Sequence, residues 1–209
     1  MGSFRVRLPL LGSHQVKNLA TALSALVAFQ ASQSHRPEPH FAQGLRGAQR
    51  ERGFTISQDA MVVGISKTSW EGRLDVVSHS PLVIVDGAHN PDGVHALREF
   101  LTVQHLQDRC GVLVFAAKKG KDISDMIDAI IPLFHTVIVT EGAYMPESAE
   151  KLAKRIGNAG PRVIVEQNVR EAVRIGVSHM KSQDMMLVTG SLYMIPEALS
   201  YFRQASYYV

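Results

Sequence analysis

From Gly72 onward, short apolar runs alternate with amphipathic stretches of about ten residues. The pattern predicts strands over Arg73–Val77, Leu82–Val85, Val112–Ala117, Thr136–Thr140, Arg162–Glu166 and Met185–Thr189. Helices are predicted after Pro91 (through Val94–Gln104), then over Ile123–Phe134, Ser148–Gly157, Val169–Lys181 and Tyr193–Arg203. Runs such as Leu82-Val83-Ile84-Val85 lack polar alternation, as expected of strands buried on both faces. Short strands alternating with helices specify a doubly wound α/β domain with a mostly parallel sheet. The first seventy residues differ. Phe4–Leu10 alternates like a strand and His14–Phe29 reads as an Ala- and Leu-rich helix. Ser34–Pro39 is a polar connection, followed by amphipathic segments at Pro39–Arg50 and Ser57–Lys67. A lone strand leaves its backbone groups unpaired, so this part is a poor independent core and reads as the end of a domain. The boundary is expected near Ser69-Trp70-Glu71-Gly72, with Trp70 as a packing residue.

Composition narrows the class without naming it. A chain of 209 residues can bury one large or two modest cores. With 45% hydrophobic and 20% charged residues it is ordinary for a globular protein, and a net charge of +3 gives no argument for a nucleic-acid partner. One cysteine, Cys110, excludes an internal disulfide and fits a reducing cytosol, hence a cytoplasmic protein. Placed just before an apolar strand, it is expected to be inert. No long apolar stretch or secretion signal is present, so no membrane association is expected.

Three polar motifs fall where predicted strands give way to helices. Asp86-Gly87-Ala88-His89-Asn90-Pro91 follows the second predicted strand, at the carboxyl end where open α/β sheets bind ligands. Its Asp, His and Asn can contact phosphate, ribose, metal or an amino acid. They can equally serve as turn and cap residues before a helix that starts with Pro91. Thr189-Gly190-Ser191-Leu192-Tyr193 repeats the arrangement after the last strand. Ser191 can bond a ligand carboxylate or cap a helix, and it lacks the G-x-S-x-G frame of a hydrolase nucleophile. Arg73, next to Gly72, offers the paired donors of a phosphate clamp. Near the N-terminus, Gly12-Ser13-His14-Gln15-Val16-Lys17-Asn18 places Gln15 and Asn18 on one helical face. Their carboxamides suit a purine edge, or the segment is a helix start capped by Ser13. Lys118-Lys119-Gly120-Lys121 is the densest basic spot, either a solvated turn or a landing place for phosphate.

In this order, G-S-H-Q-x-x-N, W-x-G-R-L, D-G-A-H-N-P and T-G-S-L-Y resemble the folylpolyglutamate and dihydrofolate synthases of the Mur ligase superfamily, from about Arg5 to the end. The resemblance implies a C-terminal α/β ligase domain over residues 71–209, preceded over 1–70 by a partial helical remnant of a central ATPase domain. It implies an ATP- and Mg²⁺-dependent ligation of folate biosynthesis. A dihydropteroate or folate carboxylate is phosphorylated, and the acyl phosphate is attacked by L-glutamate. By the same resemblance Gln15 and Asn18 lie near adenine, Arg73 reaches the phosphates and Asp86 the ribose side, while His89 and Ser191 hold glutamate. No catalytic residue and no metal ligand is assigned. Lys121-Asp122 resembles a K-D pair of the family, and Glu71 stands where the family often has Pro.

No G-x-x-x-x-G-K-S/T segment occurs; Gly64-Ile65-Ser66-Lys67-Thr68 lacks its glycine frame. The chain is accordingly expected to be a C-terminal portion, inactive alone and prone to self-association, of an enzyme that is a monomer when complete. Another Mur-type amide ligase and a non-catalytic nucleotide- or glutamate-binding module remain alternatives. A dinucleotide oxidoreductase is disfavoured because no G-x-G-x-x-G follows any predicted strand.

Overall fold

The computed structural model describes residues 4–34, 55–120, 122–157 and 160–205. It divides into two compact units, Met1–Ser69 and Trp70–Val209. In the first, Ser13–Ser34 forms helix α1 and Gln58–Ser66 forms α2, capped by the Ser57 hydroxyl accepting from Ala60 N. Phe4–Leu10 is not a strand: all six strands of the described chain lie in the second unit, so no partner exists here to take up its backbone groups. The segment expected at Pro39–Arg50 lies outside the described residues. No described helix is long and apolar enough to cross a membrane.

The second unit contains β1 (Asp75–His79), β2 (Leu82–Val85), α3 (Pro91–Val103), β3 (Cys110–Phe115), α4 (Ser124–Ile130), β4 (Thr136–Val139), α5 (Ala149–Ile156), β5 (Arg162–Val165), α6 (Val169–His179), β6 (Met185–Thr189) and α7 (Ile195–Gln204). The sheet order is β1-β2-β6-β3-β4-β5, with β1 antiparallel to β2 and every other pair parallel. After β5 the chain returns through α6 and inserts β6 between β2 and β3. The carboxyl ends of three strands that are distant in sequence thereby become neighbours.

Burial follows from that order. Central β3 and β6 are buried at every position, whereas edge strand β5 is not. Alternate residues feed two cores. Ile84, Leu113, Phe115, Val137 and Leu187 pack with α3, α4 and α5 on one face. Val83, Val85, Val112, Val114, Met186 and Val188 pack with α6 and α7 on the other. Each fully buried aliphatic side chain contributes roughly 1.5–3 kcal/mol, which is why the uninterrupted apolar runs predicted strands so well.

Three boundaries moved for local reasons. β1 starts at Asp75 rather than Arg73, because Gly72 (φ +71°) and Leu74 (φ +46°) take left-handed conformations incompatible with a strand. Helix α4 stops at Ile130 and passes into a 3₁₀ turn, Ile131–Leu133, where Pro132 supplies no N–H for the α-helical ladder. The last helix is also split, into a 3₁₀ turn at Leu192–Met194 and α7, whose first turn contains Pro196.

Cys110 is buried, and its Sγ donates to Leu106 O at 3.3 Å. Burial, reinforced by the Asp108 carboxylate, pushes the thiol up from its ordinary 9.0 to about 12. The folded chain thus keeps a proton that the unfolded chain loses. This group's contribution to stability is intact below pH 9 and declines as pH rises toward about 12. At pH 8 a disulfide reagent should label Cys110 only as fast as the chain opens, and at once in denaturant. Rapid labelling of the folded chain would contradict this account.

Candidate functional site

The motif after β2 is organised by Asp86. Its side chain is only 5% exposed; Oδ1 accepts from Ala88 N and Oδ2 from Leu74 N, both at 2.8 Å. The second bond reaches back to the start of β1, where Gly72 N donates to Asp75 Oδ2 at 3.0 Å and Gly72 O accepts from Gly87 N at 2.8 Å. W-E-G-R-L and D-G-A-H-N-P are therefore one hydrogen-bonded structure. The carboxylate expected at a ribose is engaged with backbone donors that hold Leu74 in its left-handed conformation. Arg73, carried on that turn, lies over the Trp70 ring at 5.6 Å. Trp70 is not the packing residue expected from sequence: it is 64% exposed, a stacking surface for the guanidinium.

The third motif joins the same structure. Gly190 N donates to Ala88 O at 2.9 Å, and Ala116 N, just after β3, donates to Thr189 O at 3.3 Å. The left-handed Gly190 (φ +104°) passes so close to β3 that a Cβ would stand 2.1 Å from Ala116 O. The His89 ring is fixed by Nδ1–H donating to Gly87 O at 2.9 Å. Ser191 is buried, and its hydroxyl accepts from Tyr193 N at 3.3 Å, capping the 3₁₀ turn. Asn90 is a helix cap, its Oδ1 accepting from Gly93 N at 2.8 Å.

His89, Lys118, Ser191, Leu192 and Tyr193 line a cleft of about 210 Å³. The Lys118 ammonium lies 4.9 Å from the Tyr144 ring and 5.9 Å from that of Tyr193, and the two rings are 4.9 Å apart. Of the basic turn, Lys118 thus faces the cleft and Lys119 is exposed, its N donating to Met145 O; Lys121 lies outside the described residues. Asp122, exposed, accepts from Ser124 N at 3.0 Å, which holds its carboxyl below the usual range. Tyr144 was invisible to sequence reasoning, since an aromatic residue in a loop carries no periodic signal. Glu71, where the related pattern often has Pro, pairs with Arg203 of α7. Both partners are exposed, so the pair contributes at most about 1 kcal/mol.

The structure brings Arg73, Asp86, His89 and Ser191 into one connected set. Gln15 and Asn18 belong to the Met1–Ser69 unit. There Asn18 Nδ2 donates to the Oε1 of buried Gln15 at 3.1 Å, and Gln15 Nε2 lies 3.0 Å from His14 Nε2. Among the described residues no three His, Cys, Asp or Glu side chains converge on a point that could hold a metal ion.

A mostly parallel sheet with His89, Lys118 and Ser191 around a small cleft at its strand ends is an α/β domain with a candidate ligand site. The chain belongs to the family of the Mur ligase glutamate ligase domain, matched over residues 72–192. Among relatives, it is 33% identical over 177 residues to the dihydrofolate synthase/folylpolyglutamate synthase of Mycobacterium tuberculosis, covering 83% of this chain and 32% of that one. The Bacillus subtilis enzyme of the same name is 29% identical over 195 residues, covering 92% and 40%. The solved structure of M. tuberculosis folylpolyglutamate synthase complexed with ADP superimposes with a TM-score of 0.72 at 29% identity, covering 94% of this chain and 42% of that one. The chain therefore spans about a third to two-fifths of the length of these relatives.

Proposed function

We propose that the chain forms the glutamate-accepting side of an ATP-dependent folylpolyglutamate/dihydrofolate synthase. The observation that carries this is the hydrogen-bonded union of W-E-G-R-L before β1, D-G-A-H-N-P after β2 and T-G-S-L-Y after β6, beside a cleft lined by His89 and Ser191. In the reaction a folate or dihydropteroate carboxylate takes the γ-phosphoryl group of ATP, releasing ADP. The glutamate amine then attacks the acyl carbon, loses a proton and expels phosphate. Bringing several anions together calls for cations and positioning rather than a protein nucleophile.

Arg73 supplies the cation on the phosphate side, held by Trp70 and by the turn that Asp86 pins. Gln15 and Asn18, already bonded to each other, are assigned to adenine, and Asp86 to the nucleotide side through its loop. His89 and Ser191 hold the incoming amino acid. The 209 residues contain no P-loop frame, so in this reading the triphosphate cradle comes from outside them. No described residue cluster fits Mg²⁺, which is assigned to the nucleotide phosphates instead.

Trp70, the sole tryptophan, makes the test direct. Titrating the chain with Mg-ATP should change its fluorescence saturably, and Arg73→Ala should abolish that change while leaving the thermal melt in place. L-Glutamate should shift the amide resonances of residues 190–191 in the wild-type chain and not in His89→Ala. Binding of neither ligand would remove the ligand-site reading for this chain.

A further inference from the structure

We propose that Lys118, lying over the Tyr144 and Tyr193 rings, selects the acidic side chain of the incoming amino acid by pairing with its carboxylate. The inference rests on the glutamate reading of the cleft and adds the residue that distinguishes glutamate from its neutral isostere. Three observations support it.

First, the position of Lys118 is built. Lys118 forms a β-bridge with Pro146, Lys119 N donates to Met145 O at 2.8 Å and Glu147 N to Ala117 O at 2.8 Å. The loop after β4 is thus laid along the end of β3, and it brings Tyr144 to the ammonium. Ala143 N donates to Tyr193 O at 3.2 Å, which fixes the second ring relative to the first.

Second, the rings orient the charge without neutralising it. A cation over aromatic faces within about 6 Å is attracted electrostatically, yet its N–H donors remain able to meet an anion. The acidic side chains of the same loop are engaged elsewhere. Glu141 Oε1 accepts from Ala149 N at 3.0 Å, and Glu147 pairs with Lys151 at 3.7 Å. No carboxylate among the described residues lies in ion-pair reach of Lys118.

Third, the cleft has the right size and polarity. At about 210 Å³ it is smaller than the ~300–1,000 Å³ typical of drug-sized ligand sites. That suits a single amino acid rather than a nucleotide. His89 and Ser191 share its wall with Lys118, so an amino acid held by the first two has its far end available to the third.

The test compares L-glutamate with L-glutamine in amide-shift titrations of the whole chain, for the wild type, Lys118→Met and Lys118→Arg. Methionine keeps an unbranched stem against the rings and removes the charge. Wild type should prefer glutamate. Lys118→Met should bind glutamate about five- to tenfold more weakly, down to its affinity for glutamine, whereas Lys118→Arg should keep most of the preference. An unchanged glutamate-to-glutamine ratio in Lys118→Met, or no preference in the wild type, would overturn the inference and leave the glutamate reading standing. If the wild type binds neither amino acid, the glutamate reading falls and takes the inference with it.

Discussion

Gly190→Ala should destabilise the Trp70–Val209 unit by at least about 3 kcal/mol, a large part of the ~5–15 kcal/mol that folds a typical domain. Two costs combine. At φ +104° any L side chain is strained, and the new Cβ would stand 2.1 Å from Ala116 O and 2.7 Å from the Phe115 ring. Neither obstacle is a flexible side-chain end: one is a backbone carbonyl after a central strand and the other a fully buried ring. Relief requires β6 and β3 to separate, breaking the bond from Ala116 N to Thr189 O. Gly157→Ala provides the control. Its φ is +73° and its ψ −170°, a region held almost only by glycine, but nothing lies within 4 Å of the added Cβ, so only the conformational cost of about 1–3 kcal/mol applies. Urea denaturation followed by circular dichroism measures both. Equal losses in the two variants would show that the close approach to β3 contributes nothing.

The second large effect is expected at Asp86. Asp86→Ala leaves Leu74 N and Ala88 N without the oxygens they meet at 2.8 Å, in a place water reaches poorly. Each orphaned buried donor costs about 1–3 kcal/mol, so a total of about 2–6 kcal/mol is expected. Asp86→Asn should recover only part of it, because a carboxamide offers one oxygen and turns an NH₂ toward the other donor. The functional consequence follows from position. Leu74 is held at φ +46° by this carboxylate, and relaxing it releases the turn that carries Arg73. Asp86→Asn should therefore weaken the Trp70 response to Mg-ATP even under conditions where the chain is fully folded. A folded Asp86→Asn variant with an unaltered response would separate Asp86 from the phosphate side altogether.

How much of this was legible in the chain depends on the range of the interaction concerned. Helix α3 could be read almost to its ends, because Asn90, Pro91 and the apolar spacing that follows are local signals. Strand β6 matched its predicted limits for a similar reason: five apolar or β-branched residues in a row leave few alternatives. Phe4–Leu10 shows the limit of that logic. Its alternation permits a strand, but a strand exists only where a partner supplies the other half of the ladder, and period-two patterning carries no information about partners.

The sequence alone determined the α/β class, the register of apolar runs that builds two cores, and the presence of D-G-A-H-N-P and T-G-S-L-Y at strand ends. It could do so because propensity, capping and burial periodicity act over a few residues. Only the tertiary structure decided that these motifs are one object. Inserting β6 between β2 and β3 brings Gly190 to Ala88, and the Asp86 carboxylate reaches Leu74 across a hairpin. The same folding gave Lys118 its two tyrosines, from a loop and a 3₁₀ turn that are remote from it in sequence. Such contacts arise from strand order, and strand order is fixed by the packing of the whole sheet rather than by any segment of the chain.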